Sequence, residues 1–129
     1  TVVVALEIID SRYENFNFDL KSVIADNTSA AGWVLGSPVK YSPAIDLVNC
    51  GFVLELNGEI VSTVSGAAVL GHPAQSVAML ANLLAEKGRE LPAGALVLTG
   101  GASAAVAVKA GDRVTLKIQG LGGLEIRFV

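Results

Sequence analysis

Hydrophobic positions along the chain fall into short runs with two different periods. Val2 to Ile9 is an unbroken apolar, β-branched run apart from Glu7, and it reads as a central strand buried on both faces. Asp10-Ser11-Arg12 ends it. From Asn15 to Leu20 the pattern alternates, with Phe16, Phe18 and Leu20 on one side, as in a half-exposed strand or extended loop. Ala25-Asp26-Asn27-Thr28-Ser29 carries helix-cap chemistry, so a short helix through Ala30 and Ala31 is expected. Gly36-Ser37-Pro38 and Ser42-Pro43 punctuate a loop.

The hairpin signal is sharper. Phe52, Leu54 and Leu56 alternate with Val53 and Glu55, Asn57-Gly58 suits a type I′ turn, and Glu59 to Ser65 returns. Gly71-His72-Pro73 opens a helix whose Val77, Leu80, Ala81 and Leu84 fall at the spacing of one buried face, and Gly88 closes it. Ala95 to Leu98 reads as an apolar strand running into Thr99-Gly100-Gly101. After the turn Ala110-Gly111-Asp112, Val114, Leu116 and Ile118 face one way. Gly120 to Gly123 reverses the chain, and Leu124, Ile126 and Phe128 form a closing strand. Strands with one main helix make an α+β layout, with a largely antiparallel or mixed sheet curled into a roll or sandwich.

Composition narrows the function classes. The 129 residues are 52% hydrophobic and 16% charged, which excludes disorder. Net charge is −3 and the nine basic residues are scattered, so no nucleic-acid patch forms. One cysteine excludes an internal disulfide framework. No apolar run reaches the roughly 18 residues of a membrane helix, and the start lacks the basic residues of a signal peptide. A mean hydropathy of +0.58 and an opening at Thr1, already inside a strand, lead us to expect a piece of a longer protein, or a subunit covered by partners.

Glu7 carries the most chemical information. A carboxylate in an apolar strand needs a partner or a cation, and Mg²⁺ or a similar hard ion is one candidate. A strand-end glutamate satisfied by water or by Arg12 is the other reading. Asp26-Asn27-Thr28-Ser29 offers either a small-anion site or plain capping. Thr99-Gly100-Gly101 offers backbone N–H groups close to a ligand, or a glycine turn alone. His72, beside Pro73, reads as structural, and Cys50 as a buried thiol. Tyr13 and Trp33 read as core or rim residues. The residues alone name no acid, base or nucleophile.

Three groups of motifs add a family resemblance. Ala5-Leu6-Glu7-Ile8-Ile9-Asp10-Ser11-Arg12 with Ala25-Asp26-Asn27, then Gly71-His72-Pro73 with Ala78-Met79-Leu80-Ala81-Asn82, make the first two. Leu98-Thr99-Gly100, Lys109-Ala110-Gly111-Asp112 and Gly120-Leu121-Gly122 make the third. Together they resemble the hydratase/decarboxylase branch of the fumarylacetoacetate hydrolase superfamily, in order, across the whole chain. Ser11 to Phe16, Gly66 to Pro73 and Thr99-Gly100-Gly101 resemble its decarboxylases, with a slight departure at Ala102-Ser103-Ala104.

The resemblance implies a mixed β roll around one Mg²⁺ or Mn²⁺ ion held by three carboxylates. Glu7 matches the third. The other two, a Glu-x-Glu pair, and a catalytic lysine lie upstream in that family, so residues 1–129 are expected to be the C-terminal half of a catalytic domain. The implied reaction is decarboxylation of 2-oxohex-3-enedioate to 2-hydroxypenta-2,4-dienoate, in meta-cleavage catabolism of aromatic compounds. The alternatives are the sister hydratase, or an incomplete binding fragment. No nicotinamide, flavin or pyridoxal cofactor is implied. Asn27, Ser29 and Thr99 are the candidate substrate contacts, by position in these motifs. A cytoplasmic oligomer, with a hydratase as partner, is the implied setting.

Overall fold

The computed structural model describes residues 1–129. Two antiparallel sheets carry the fold. β1 (Val2–Ile9) pairs with β2 (Ala30–Val39). The second sheet has the order β4-β3-β5-β6, from β3 (Gly51–Leu56), β4 (Glu59–Ser65), β5 (Arg113–Ile118) and β6 (Gly122–Arg127). Along the chain α1 (Leu20–Ala25) falls between β1 and β2, and α2 (Ala74–Glu86) between β4 and β5. The expected α+β class holds, and of the expected largely antiparallel or mixed sheet every strand pair is antiparallel.

Local signals set the second sheet. Asn57 and Gly58, at φ of 55° and 91°, make the I′-type turn between β3 and β4. Val114, Leu116 and Ile118 on β5 are all buried, as their spacing of two requires. α2 ends as expected, with Gly88 at φ 65° and the Arg89 N–H reaching back to the Leu84 carbonyl.

The first sheet departs from the pattern reading. β1 is not buried on both faces, because β2 is its one neighbour and only Val4 is fully buried. Val4 joins Cys50, Leu116 and Ile118 in the core, with Leu6 packed against them. Alternation then turns Ala5 and Glu7 the other way. The helix expected at Ala30 is instead the start of β2, after a 3₁₀ turn over Asn27–Ser29. Gly36-Ser37-Pro38 lies within β2 and not in a loop. Pro38 is tolerated there on an edge strand. The small residues have a packing reason: a Cβ on Gly36 would come within 3.2 Å of the Gly123 carbonyl oxygen, so glycine lets β2 approach β6. Asn15 to Leu20 forms no strand; Asp19 caps α1, its Oδ1 accepting the Ser22 N–H at 2.7 Å.

Ala95 to Leu98 is extended but pairs with nothing. No backbone N–H from Leu96 to Val108 donates a hydrogen bond. Exposure is also high. A folded monomer of 13.2 kDa exposes about 6,400 Å², whereas this chain exposes 8671 Å². No helix is long and apolar enough to cross a membrane.

Asp112 ties the turns at one end of the larger sheet. Its Oδ1 accepts the Asn57 amide and its Oδ2 the Lys109 N–H, both at 2.9 Å, while Asn57 Oδ1 accepts the Arg113 N–H. The Asn57 hydrogen bond, then that from Lys109, holds the Asp112 carboxyl below the usual range against the opposing effect of burial. A depressed folded-state pKa contributes stability that is complete above about pH 4 and lost as pH falls through the folded value. Asp112→Asn is therefore expected to lower the melting temperature at pH 7 and to flatten its decline toward pH 3. Melting curves across that range check both effects; an unchanged acid slope would assign the acid sensitivity to other carboxylates.

Candidate metal and substrate site

Glu7 lies mid-strand on β1, opposite Trp33 of β2. Its side chain is exposed and makes no hydrogen bond or ion pair. Arg12, the alternative partner, turns to Asp26 instead. Glu7 opens onto a cleft of about 680 Å³ lined by 37 residues, of which 29 are hydrophobic. β1 forms part of the lining, and the unpaired segment from Ala95 to Val106 forms another. A bare carboxylate in so apolar a cleft is the chemistry expected of a ligand for a hard cation. It is one ligand only: no three His, Cys, Asp or Glu residues of this chain gather into a cation site.

Thr99, Gly100 and Gly101 line the same cleft. The Thr99 carbonyl accepts the Ser76 hydroxyl at 2.6 Å, which fixes this otherwise unpaired segment to α2. Glu7 and Thr99 thus line one cleft. Asn27 and Ser29 do not line the cleft. They sit in the turn that leads into β2, and the Asp10 N–H donating to the Ser29 carbonyl at 2.8 Å holds that turn at the end of β1.

Asn27, Thr28 and Ser29 all adopt left-handed backbone, at φ of 51°, 55° and 60°. Such a run is unfavourable for residues with a Cβ, most of all for β-branched Thr28. Asp26 supports it. Its side chain is 4% exposed and accepts from Arg12 Nε and from the Ser29 hydroxyl, the latter at 3.1 Å. Burial opposes the charge on Asp26, but the Arg12 and Ser29 hydrogen bonds and the guanidinium charge outweigh it. The carboxyl is held below its ordinary range. The sequence pattern offers Arg12 as a partner for Glu7, and Asp26 as part of a cap or a small-anion site. The one signal for their pairing is that each sits in a polar cluster beside an apolar strand.

The remaining candidates keep structural roles. His72 Nδ1 accepts the Ala74 N–H at 2.9 Å and so caps α2. Cys50 is buried, donates to the Leu47 carbonyl, and burial pushes its thiol pKa up. Trp33, 58% exposed, and Tyr13 are rim residues.

The family model described as fumarylacetoacetate (FAA) hydrolase C-terminal matches residues 5–129. The chain is 55% identical over 128 residues to a 4-oxalocrotonate decarboxylase of Pseudomonas putida, covering 99% of this chain and 48% of the relative. It is 43% identical over 127 residues to 2-keto-4-pentenoate hydratase 1 of Dechloromonas aromatica (strain RCB), covering 98% and 48%. A solved 4-oxalocrotonate decarboxylase from Pseudomonas putida G7, complexed with magnesium and adipate, has a TM-score of 0.92 at 52% identity, covering 98% of this chain and 48% of that one. The same enzyme complexed with calcium and acetate gives 0.89. The chain therefore spans about half the length of the relatives it matches. On sequence and structure alike, it belongs to the fumarylacetoacetate hydrolase family.

Proposed function

We propose that this chain supplies part of the active site of a divalent-metal-dependent decarboxylase acting on 2-oxohex-3-enedioate. The observation that carries the reading is the margin in similarity. Identity is 55% to a 4-oxalocrotonate decarboxylase and 43% to a hydratase of the same family. Glu7 is the metal ligand that this chain contributes, for Mg²⁺ or Mn²⁺. The groups that meet substrate oxygens come from Thr99 and from the Asn27–Ser29 turn. The product is 2-hydroxypenta-2,4-dienoate, formed as the distal carboxylate leaves as CO₂ and its bonding pair moves through the double bond to the 2-oxo oxygen. The cation, when bound, supplies a Lewis acid for that developing charge.

The chain's own residues do three things in this scheme. Glu7 holds negative charge in an apolar cleft. The Ser76 hydroxyl fixes the Thr99 carbonyl, and with it the glycine segment that lines the cleft with Glu7. The apolar lining limits water around the reacting carbons. The hydratase reading survives through the same family, and water addition without CO₂ release is its signature. A cytoplasmic setting in aromatic catabolism belongs to the same proposal, as does a small 2-oxo dicarboxylate as the ligand.

Residues 1–129 are, in this reading, the C-terminal half of a longer catalytic domain. Three features support it: about a third more exposed area than a monomer of this mass needs, an apolar cleft, and unsatisfied backbone from Leu96 to Val108. Hydrogen exchange tests it. These amides should exchange freely in the 129-residue chain and be protected in a full-length enzyme that carries it. Equal exchange in both would leave the segment uncovered and the proposal wrong. Oligomerisation, with itself or with a hydratase, is proposed from the same apolar exposure. Sedimentation of the full-length enzyme at micromolar concentration should give a mass above one chain; a monomer at every concentration would rule out self-association.

Glu7→Gln in the full-length enzyme tests the function. The amide keeps volume but is a poor ligand for a hard dication. Mn²⁺ affinity should fall at least about tenfold, or about 1.4 kcal/mol. CO₂ release from 2-oxohex-3-enedioate should fall further, and the melting temperature should hold because Glu7 has no partner to lose. Unchanged affinity with unchanged turnover would make Glu7 an ordinary exposed glutamate.

A further inference from the structure

We propose that Arg12 is a positioning residue: acting through Asp26, it holds the left-handed turn over Asn27–Ser29 and thereby places the Asn27 amide for substrate. The inference rests on the decarboxylase reading above and adds a residue to it.

Arg12 commits every part of its fork to this turn and its flanks. Nε donates to Asp26 Oδ1 and Nη2 to the Asp26 carbonyl. Nη1 donates to the carbonyls of Asp10 and Ala30, each at 3.2 Å. The Arg12 backbone N–H leans toward Asp26 Oδ2 at 3.4 Å. One guanidinium therefore joins the end of β1, the residue before the turn and the first residue of β2. Lysine lacks the planar fork needed to do this.

Asp26 passes the constraint on. Its Oδ2 accepts the Ser29 hydroxyl, and its carbonyl accepts the Ser29 N–H at 3.0 Å. Three consecutive left-handed residues are thus pinned at both ends. Strained backbone of this kind persists only where its surroundings over-determine it.

The hydrogen-bond inventory of the turn then assigns the roles. Ser29 is 2% exposed and has given its one proton to a carboxylate, so it cannot donate to a substrate oxygen. Thr28 donates its hydroxyl to the Asn27 carbonyl at 2.7 Å. The Asn27 amide is exposed and makes no hydrogen bond, so it alone among these side chains is free to donate. Pairing of Ile9 with Ala30 sets the end of the turn two residues, about 7 Å of strand, beyond Glu7, at the border of the cleft that Glu7 and Thr99 line.

A double-mutant cycle in the full-length enzyme tests this. Arg12→Lys should raise KM at least about tenfold, leave kcat within about threefold, and leave Mn²⁺ affinity unchanged, because Glu7 is untouched. Adipate, an unreactive six-carbon dicarboxylate, should lose affinity in parallel. Asn27→Ala should raise KM similarly, and the double variant should be no worse than Asn27→Ala alone. Additive effects, or an unchanged KM in Arg12→Lys, would overturn the proposal. A uniform loss of kcat, Mn²⁺ affinity and melting temperature would also overturn it, as the mark of a merely structural residue. If Arg12→Lys does not fold, Ser29→Ala decides. It removes only the hydroxyl that ties the turn to Asp26, and it should raise KM with Mn²⁺ affinity intact; an unchanged KM there refutes the proposal. Normal loss of Mn²⁺ affinity in Glu7→Gln beside an unchanged KM in Arg12→Lys fails this proposal alone. An enzyme with no decarboxylation, and no metal loss in Glu7→Gln, fails the functional reading and this proposal with it.

Discussion

Everything near the candidate site depends on how β1 is seated by Val4. That side chain is 1% exposed and meets Leu116 and Ile118 of the larger sheet. Burying a valine contributes about 1.5–3 kcal/mol, and Leu6 packs on the same cluster beside it. Because side chains alternate along a strand, fixing Val4 and Leu6 toward the core fixes Ala5 and Glu7 away from it. A one-residue slip of β1 would put Glu7 into the Leu116–Ile118 cluster, where an unpaired carboxylate is strongly disfavoured. The register of the strand and the address of the carboxylate are therefore one constraint. The close approach of Gly36 to Gly123 serves the same end, since it lets β2 carry β1 down onto β6.

What the sequence made legible follows from the range of the interactions involved. The β3–β4 hairpin depends on Asn57-Gly58, α2 on Pro73, Gly88 and a stripe of apolar residues, and β5 on alternation. Each signal is local, and each element formed where it was read, although α2 buries none of its apolar stripe within this chain. The errors lie where a distant partner decides. Small residues and Pro38 made β2 look like a loop, and its strand character comes from pairing with β1 some thirty residues earlier. Ala30 and Ala31 favour helix by propensity, but pairing with Ile9 overrides it. Ala95 to Leu98 has a strand's composition and no strand beside it within this chain.

The site was legible to the same degree. Glu7 stands out because it breaks an apolar run, and Thr99 because glycines follow a buried-looking segment. Neither signal reveals that the two face one cleft. Asp26 and Ser29 carry the residue types of a cap, and nothing in one dimension distinguishes a cap from the buried end of an ion pair fourteen residues away. The family resemblance supplied the motif, and the structure supplied the hydrogen bonds that give each member of it a different task.

Those tasks leave an electrostatic asymmetry. Arg12 is the nearest cation to Glu7 in sequence, and it is spent on Asp26. Glu7 therefore keeps a whole negative charge beside a mostly apolar lining. While the cleft is open, water compensates that charge at little cost. If the cleft were covered, the water would leave, and an ionised carboxylate left alone there would be penalised by several kcal/mol. Covering the cleft and supplying a cation to Glu7 thus favour one another: the cation removes the penalty of closure, and closure strengthens the attraction between cation and carboxylate by lowering the local dielectric. Pairing Arg12 with Asp26 leaves that possibility open, because an arginine folded back onto Glu7 would have satisfied the carboxylate within this chain.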